Sequence, residues 1–171
     1  MFQASTKNGY KINIPSTFHE YKILKYISNG STCITVLVED QKTNEKYAAK
    51  IIAVEDAVEN NCYYRVLKET KIVKTLSHPN IIDIKESFEI ENAEYDDFIV
   101  IIMEYCENGD LVDYLLNNKI TDASFMKEIK QGILSSVKYL HEKGISHGDI
   151  KPDNILLDSN FSPKLCDFGY T

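Results

Sequence analysis

A change of hydrophobic period near residue 104 limits what this chain can fold into. Ahead of it, apolar residues come in short alternating or β-branched runs at 21–27, 34–38, 47–54, 81–88 and 98–103. Runs of this length, bounded by turn residues, read as strands. Gly30 within 28–32 and Asn44 within 41–45 supply two turns, and an acidic stretch with Glu91, Glu94, Asp96 and Asp97 joins the last two strands. One segment interrupts the series. Residues 56–76 place Val66, Val73 and Leu76 at helical spacing, with Glu69 inside the same stripe, and His78-Pro79-Asn80 stops that helix. After Asn108-Gly109 the chain turns helical, most strongly over 121–142, where Met126, Ile129, Ile133, Val137 and Leu140 recur. Thr121 is the candidate N-cap and Gly144 the C′ glycine. Two short apolar runs, 155–157 and 164–166, suit a small hairpin. The expected fold is α+β, with five strands and one helix first and a helical segment with a hairpin second. Residues 1–20 read as a leader that joins the core late, 21–103 as the strand-rich part and 104–171 as the rest.

Composition narrows the class of function. The chain has 171 residues, 43% hydrophobic and 26% charged, which fits a globular protein. A net charge of −7 argues against nucleic acid as a partner, because phosphate backbones demand basic patches. The longest apolar run, 98–103, is far too short to span a bilayer, and residues 1–15 show no targeting pattern. Cysteines at 33, 62, 106 and 166 have neither C-x-x-C nor metal-ligand spacing and read as reduced thiols. The expectation is a cytoplasmic protein with no membrane and no nucleic-acid partner.

The chemistry concentrates near the end. His147-Gly148-Asp149-Ile150-Lys151-Pro152-Asp153-Asn154 is followed, eighteen positions after Asp149, by Asp167-Phe168-Gly169. Asp and Asn favour turns anyway, so each residue alone says little. Earlier, Lys50 shares a strand face with Ala48 and Ile52. A lysine among apolar neighbours is drawn inward only by anionic partners.

In order, spacing and supporting elements, these segments closely resemble eukaryotic protein kinases of the Ser/Thr type, from about residue 21 to the last. The resemblance implies a protein-kinase-like fold: a five-stranded antiparallel N-lobe sheet with the αC helix over 56–76, then the hinge and the first part of a helical C-lobe. It implies ATP and Mg2+ as cofactors and a protein Ser or Thr hydroxyl as acceptor. Lys50 would hold the α/β-phosphates and pair with Glu69. Asp149 would take the substrate hydroxyl proton, and Lys151 would neutralise the γ-phosphate; tyrosine kinases differ at Lys151. Asn154 and Asp167 would hold magnesium through oxygen. Met103-Glu104-Tyr105-Cys106 resembles the hinge, with Met103 as gatekeeper and the backbone of Glu104 and Cys106 bonding adenine. The same resemblance gives Ile27, Gly30, Thr35, Ala48 and Leu156 to the nucleotide and Asp110 to the ribose. Phe168, His147, Val73 and Ile84 align with the family's apolar stack.

The sequence departs from the pattern in three places. The glycine-rich loop reads Ser28-Asn29-Gly30-Ser31-Thr32-Cys33-Ile34-Thr35 and keeps only the middle glycine, so weaker ATP binding is expected. Gly148 replaces the Arg that commonly pairs with an activation-loop phosphate, so control by such a phosphate is not expected. The chain stops two residues past Gly169. Little or no turnover by this stretch alone is therefore expected, as is a second kinase chain or a regulatory protein over the incomplete C-lobe. The alternative is a kinase-derived binding or regulatory module of the pseudokinase kind.

Overall fold

The computed structural model describes residues 1–91, 97–118 and 122–168. Glu94, Asp96, Thr121 and Gly169, all named above, lie outside the described residues. The chain divides into two compact units, Met1–Thr70 with Ile84–Tyr105 and Lys71–Asp83 with Cys106–Thr171.

In chain order the first unit holds β1 (Phe2–Ser5), β2 (Lys11–Ile14), β3 (Thr17–Phe18), β4 (Tyr21–Asn29), β5 (Cys33–Asp40), β6 (Lys46–Ala53), α1 (Val54–Glu59), α2 (Tyr63–Val73, whose last three residues fall in the second unit), β7 (Ile84–Ile90) and β8 (Phe98–Glu104). Strands β3-β4-β5-β6-β8-β7 form one antiparallel sheet in that order. Five of them are the expected strands, and the two-residue β3 adds an edge. The fourth begins at Ile84, not at residue 81, because Ile81 and Ile82 bond instead to residues of the second unit.

The sheet is covered on both faces. One set of alternate residues, Ile34, Val36, Val38, Ala49, Ile51, Ala53, Phe98, Val100 and Ile102, packs with Ile12, Ile14 and Phe18. The other set, Ile52, Ile99 and Ile101, packs with Ala57, Cys62 and Val66 of the helical side. Strand β8 therefore has no solvent face along Phe98–Ile102 and reads as a continuous apolar run. Residues 1–20, read above as a late-joining leader, carry three strands, and Ile12 and Ile14 are fully buried. Their signal, Tyr10, Ile12 and Ile14 in alternation, spans only five residues and is diluted by Lys7, Asn8, Lys11 and Asn13.

The single helix expected over 56–76 is two. Asn60 caps α1, and Asn61 follows at φ 55, the left-handed position that Asn tolerates and that ends a helix. Cys62 then donates its N–H back to the Ala57 carbonyl, at 2.8 Å, before α2 starts. Leu76 lies past the end of α2 but is buried, as are Val66 and Val73.

A polar cluster fastens β5, β7 and β4. Lys85 Nζ lies 2.8 Å from Asp40 Oδ2 and 4.1 Å from the centre of the Tyr47 ring, and the Tyr21 hydroxyl donates to Glu86. Lys85, then the amide N–H groups of Lys42 and Thr43, hold the Asp40 carboxyl down at about 2. An unfolded Asp titrates near 3.8, so between about pH 4 and pH 2 the unfolded chain binds the proton that the native chain refuses. This contribution to stability is present above about pH 4 and is lost as the pH falls through 2. Melting temperature measured against pH should fall over that window, and Asp40→Asn should flatten the fall. An unchanged slope in the variant would remove the Asp40–Lys85 pair from the account.

The second unit holds α3 (Leu111–Asn118), α4 (Ala123–Glu142), a single 3-10 turn at Pro152–Asn154, β9 (Ile155–Leu157) and β10 (Pro163–Leu165). Asp122 caps α4 by accepting from the Ser124 N–H at 2.8 Å. At the far end Gly144 sits at φ 70, with Gly144 N–H to His141 O at 3.0 Å and Ile145 N–H to Leu140 O at 2.9 Å, a Schellman cap. On the α4 stripe Ile129 and Leu140 are buried, Ile133 and Val137 half-buried, and Met126 exposed. A Cβ on Gly132 would fall 2.5 Å from the Pro163 ring and 2.9 Å from Asn80 Nδ2, so the bare glycine is what lets α4 approach β10. The hairpin β9–β10 pairs Ile155 with Leu165 and Leu157 with Pro163. The 78–83 segment is tied to it by Leu165 N–H to Asn80 O at 2.9 Å and Ile82 N–H to Leu165 O at 3.0 Å. Among the described residues no helix is long and apolar enough to cross a membrane.

Candidate active site

In the first unit the pleat brings the candidate lysine to the helical side. Lys50 is in register with Thr35 of β5 and Ile101 of β8, and alternation sets it on the face of Ala48 and Ile52. Glu69 lies on α2 within one turn of buried Val66. The two meet with Lys50 Nζ 4.0 Å from Glu69 Oε1, their side chains 22% and 13% exposed. That spacing is a long ion pair that an anion can share.

The loop between β4 and β5 is tightly wound. Gly30 N–H donates to the Cys33 carbonyl at 2.8 Å, and a Cβ on Gly30 would come within 2.7 Å of Cys33 Sγ. Ile27 sits in a β-bulge, where the register slips between Tyr26 and Ser28, and it is 38% exposed. Thr35 is half-buried and Ala48 buried. Met103 pairs with Ala48 and Ile84, and Glu104 ends β8 opposite Tyr47.

The second unit gathers Asp149, Lys151 and Asn154 around one carboxylate. Lys151 Nζ is 2.8 Å from Asp149 Oδ2, and Asn154 Nδ2 donates to the same oxygen at 2.9 Å and to the Asp149 carbonyl at 2.8 Å. The short 3-10 turn, started by Pro152, folds Asn154 back onto Asp149. The Lys151 ammonium, and after it the Asn154 amide, hold the Asp149 carboxyl below the usual range, and the carboxylate in turn raises Lys151. Asp149 is thus a charged acceptor at neutral pH, suited to orienting a donor.

His147 links this loop to the hairpin. Its Nδ1 accepts from the Asp149 N–H at 3.3 Å, so its Nε2 carries the proton and donates to the Cys166 carbonyl at 3.0 Å. Burial keeps the ring neutral by lowering its pKa. The Phe168 ring lies 4.6 Å away and is buried. Cys166 N–H donates to the Asn154 carbonyl at 3.0 Å, which brings the start of the Asp167-Phe168 segment beside the loop. Nothing in a linear pattern announces Cys166, which joins the loop through its carbonyl, its N–H and a thiol 3.4 Å from the Asn154 carbonyl. Gly148 sits at φ 80, a conformation that a side chain such as Arg would meet with about 1–2 kcal/mol of strain. Asp167 adopts φ 63 and is exposed.

The remaining candidates have structural work of their own. Asp110 Oδ1 accepts from the Asp113 N–H at 2.8 Å and so caps α3, while its backbone bridges Leu156. Leu156 is half-buried on β9. Cys106 is buried, and its carbonyl accepts from the Gly109 N–H at 3.3 Å. The donors named for magnesium suit a hard cation. Asn154 spends its amide nitrogen on Asp149, so its oxygen takes no part in those bonds, and Asp167 offers a carboxylate.

The family model described as the protein kinase domain matches residues 21–171. Among curated proteins, the chain is 32% identical to "Serine/threonine-protein kinase cds1" of Schizosaccharomyces pombe, over 96% of this chain and 35% of that one. It is 34% identical to the "Carbon catabolite-derepressing protein kinase" of Secale cereale, over 87% and 29% of the two chains. It is 30% identical to "Ovarian-specific serine/threonine-protein kinase Lok" of Drosophila melanogaster, over 92% and 34%. The chain thus spans about a third of the length of these relatives.

Proposed function

The chain belongs to the protein kinase domain family, and on that premise we propose that it binds ATP with Mg2+ and passes the γ-phosphate to Ser or Thr hydroxyls of a protein. The observation that carries this is the three-residue cluster in which Lys151 and Asn154 both bond one Asp149 oxygen. Phosphoryl transfer needs little covalent help; it needs a positioned hydroxyl and positive charge at the transferring group. Asp149 orients the hydroxyl and accepts its proton, and Lys151 offers charge to the γ-phosphate. In the first unit Lys50, steadied by Glu69, binds the α/β-phosphates. Asn154 and Asp167 are the residues to hold magnesium, which when bound offsets phosphate charge. Met103, Glu104 and Cys106 serve adenine, with Ile27, Gly30, Thr35, Ala48 and Leu156 against the nucleotide and Asp110 at the ribose.

The partners follow from the same reading. A protein substrate supplies the hydroxyl. A second kinase chain or a regulatory protein over this unit is part of the same proposal. A net charge of −7 gives no support to nucleic acid. The reading places the protein inside the cell, in the cytoplasm, where ATP is available.

Calorimetry tests the nucleotide half. The unaltered chain should bind Mg-ATP with a dissociation constant on the order of 100 μM to 1 mM, weak because one glycine serves the loop. Asp167→Ala should abolish the magnesium dependence and leave adenosine binding in place. No heat and no thermal shift at about 10 mM nucleotide would reject the reading.

A further inference from the structure

The loop around Gly30 has a second support outside the segment that the family accounts for, since that match begins at Tyr21. The turn from β1 to β2 runs Thr6-Lys7-Asn8-Gly9. Gly9 N–H donates to the Thr6 carbonyl at 3.0 Å, Gly9 itself lies at φ 86, and Thr6 N–H bonds the Tyr10 carbonyl at 2.9 Å. This is the three-residue hairpin loop in which a β-turn is completed by a left-handed glycine. Thr6 is buried, and its hydroxyl accepts from the Tyr10 N–H at 3.1 Å, so the turn is fixed by side chain as well as backbone.

That fixed turn grips the loop at two points. Lys7 N–H donates to the Gly30 carbonyl at 2.8 Å, and Asn29 Nδ2 donates to the Ser5 carbonyl at 2.9 Å. Gly30 N–H is meanwhile held by Cys33. Both polar groups of Gly30 are thereby engaged, one inside the loop and one by the hairpin. The hairpin is anchored in turn by Ile12 and Ile14 in the core. A glycine is the residue least able to hold one conformation unaided. Here its conformation is set from outside.

We infer that the β1–β2 hairpin is a positioning element for the phosphate loop, with the Lys7 backbone amide and the Asn29 side chain as its positioning groups. The inference rests on the nucleotide reading above. By holding the Gly30 peptide in place, the hairpin removes part of the ordering cost that phosphate binding would otherwise carry. The effect is confined to the phosphate end of the ligand, because both tethers meet the loop at Asn29 and Gly30.

Proline is accepted at the second position of such a turn, and Lys7 is not among the residues with positive φ, so Lys7→Pro deletes the amide donor and keeps the turn. Lys7→Ala keeps the donor and serves as control. Asn29→Ala removes the other tether and carries the test if Lys7→Pro does not fold. On the whole chain, affinities for Mg-ATP and for adenosine are compared, and amide exchange is followed at residues 30–33. Each tether lost should weaken ATP about threefold to tenfold, leave adenosine unchanged and speed exchange in the loop; Lys7→Ala should match the unaltered chain. Unchanged ATP affinity, unchanged exchange, or equal weakening of ATP and adenosine would overturn the inference while the nucleotide reading stands. If the unaltered chain binds adenosine and ATP not at all, both fall together.

Discussion

Where this chain is part of a protein that transfers phosphate measurably, Asp149→Asn is expected to lower the rate of transfer to a Ser/Thr protein substrate about 10²–10⁴-fold. The substitution keeps the shape of the side chain and leaves an oxygen to accept from Asn154 Nδ2, so the loop should keep its fold. It removes the charge. An amide cannot take the hydroxyl proton, and it no longer holds the Lys151 ammonium that lies 2.8 Å away. Because Lys151 and Asn154 depress the carboxyl's pKa, the group is a weak base at neutral pH. Orientation of the hydroxyl then carries more of the loss than proton affinity does. Initial rates with γ-labelled ATP would read the effect, with ATP affinity measured in parallel and expected to hold within about twofold. A rate that survives the substitution would show that Asp149 is not the group that handles the hydroxyl.

Ile14→Ala should destabilise the chain by about 2–5 kcal/mol. Ile14 is fully buried and packs in the same core as Val100 and Ile102 of β8. Truncating it removes apolar area and leaves a cavity between a two-stranded hairpin and a sheet, elements that cannot collapse together without breaking the β1–β2 register. Exposed Lys11→Ala, on the same strand, should change stability by no more than about 0.5 kcal/mol. Urea unfolding at constant m-value would compare the two. If Ile14→Ala is as mild as Lys11→Ala, residues 1–20 are a leader after all and the buried hairpin is wrong.

The contrast between these sites shows what a sequence carries. The proximity of Lys50 and Glu69 was legible because two independent periods, one of strand and one of helix, each put a charge on an apolar face. The order of Asp149, Lys151 and Asn154 was legible as a motif, but their shared oxygen depends on the 3-10 turn at Pro152–Asn154. The break between α1 and α2 was missed because Asn60-Asn61 reads as two polar positions on a helix until the φ of Asn61 is known. The cap of α4 falls on Asp122, next to the residue named for it, since two cap-forming residues stand side by side. The hairpin at 2–14 escaped because a strand pair of four residues each has too few alternations to exceed chance. Its importance comes from a partner surface drawn from three strands between residues 34 and 102, which no local window samples.

A sheet lined on both sides has a consequence for descent. In a sheet with one wet face, alternate positions can drift while their neighbours are held. Strand β8 offers no such lane along Phe98–Ile102, and β5 and β6 offer little. Strand β4 differs: its Lys22, Leu24, Lys25 and Tyr26 meet solvent. A lineage that shed the first fourteen residues would lay bare Val36, Ile51, Val100 and their companions together. It would have to replace them with polar residues in several strands before the shortened chain stayed soluble. Hairpin and sheet face are for that reason coupled: removing one would expose apolar residues of three strands of the other at once.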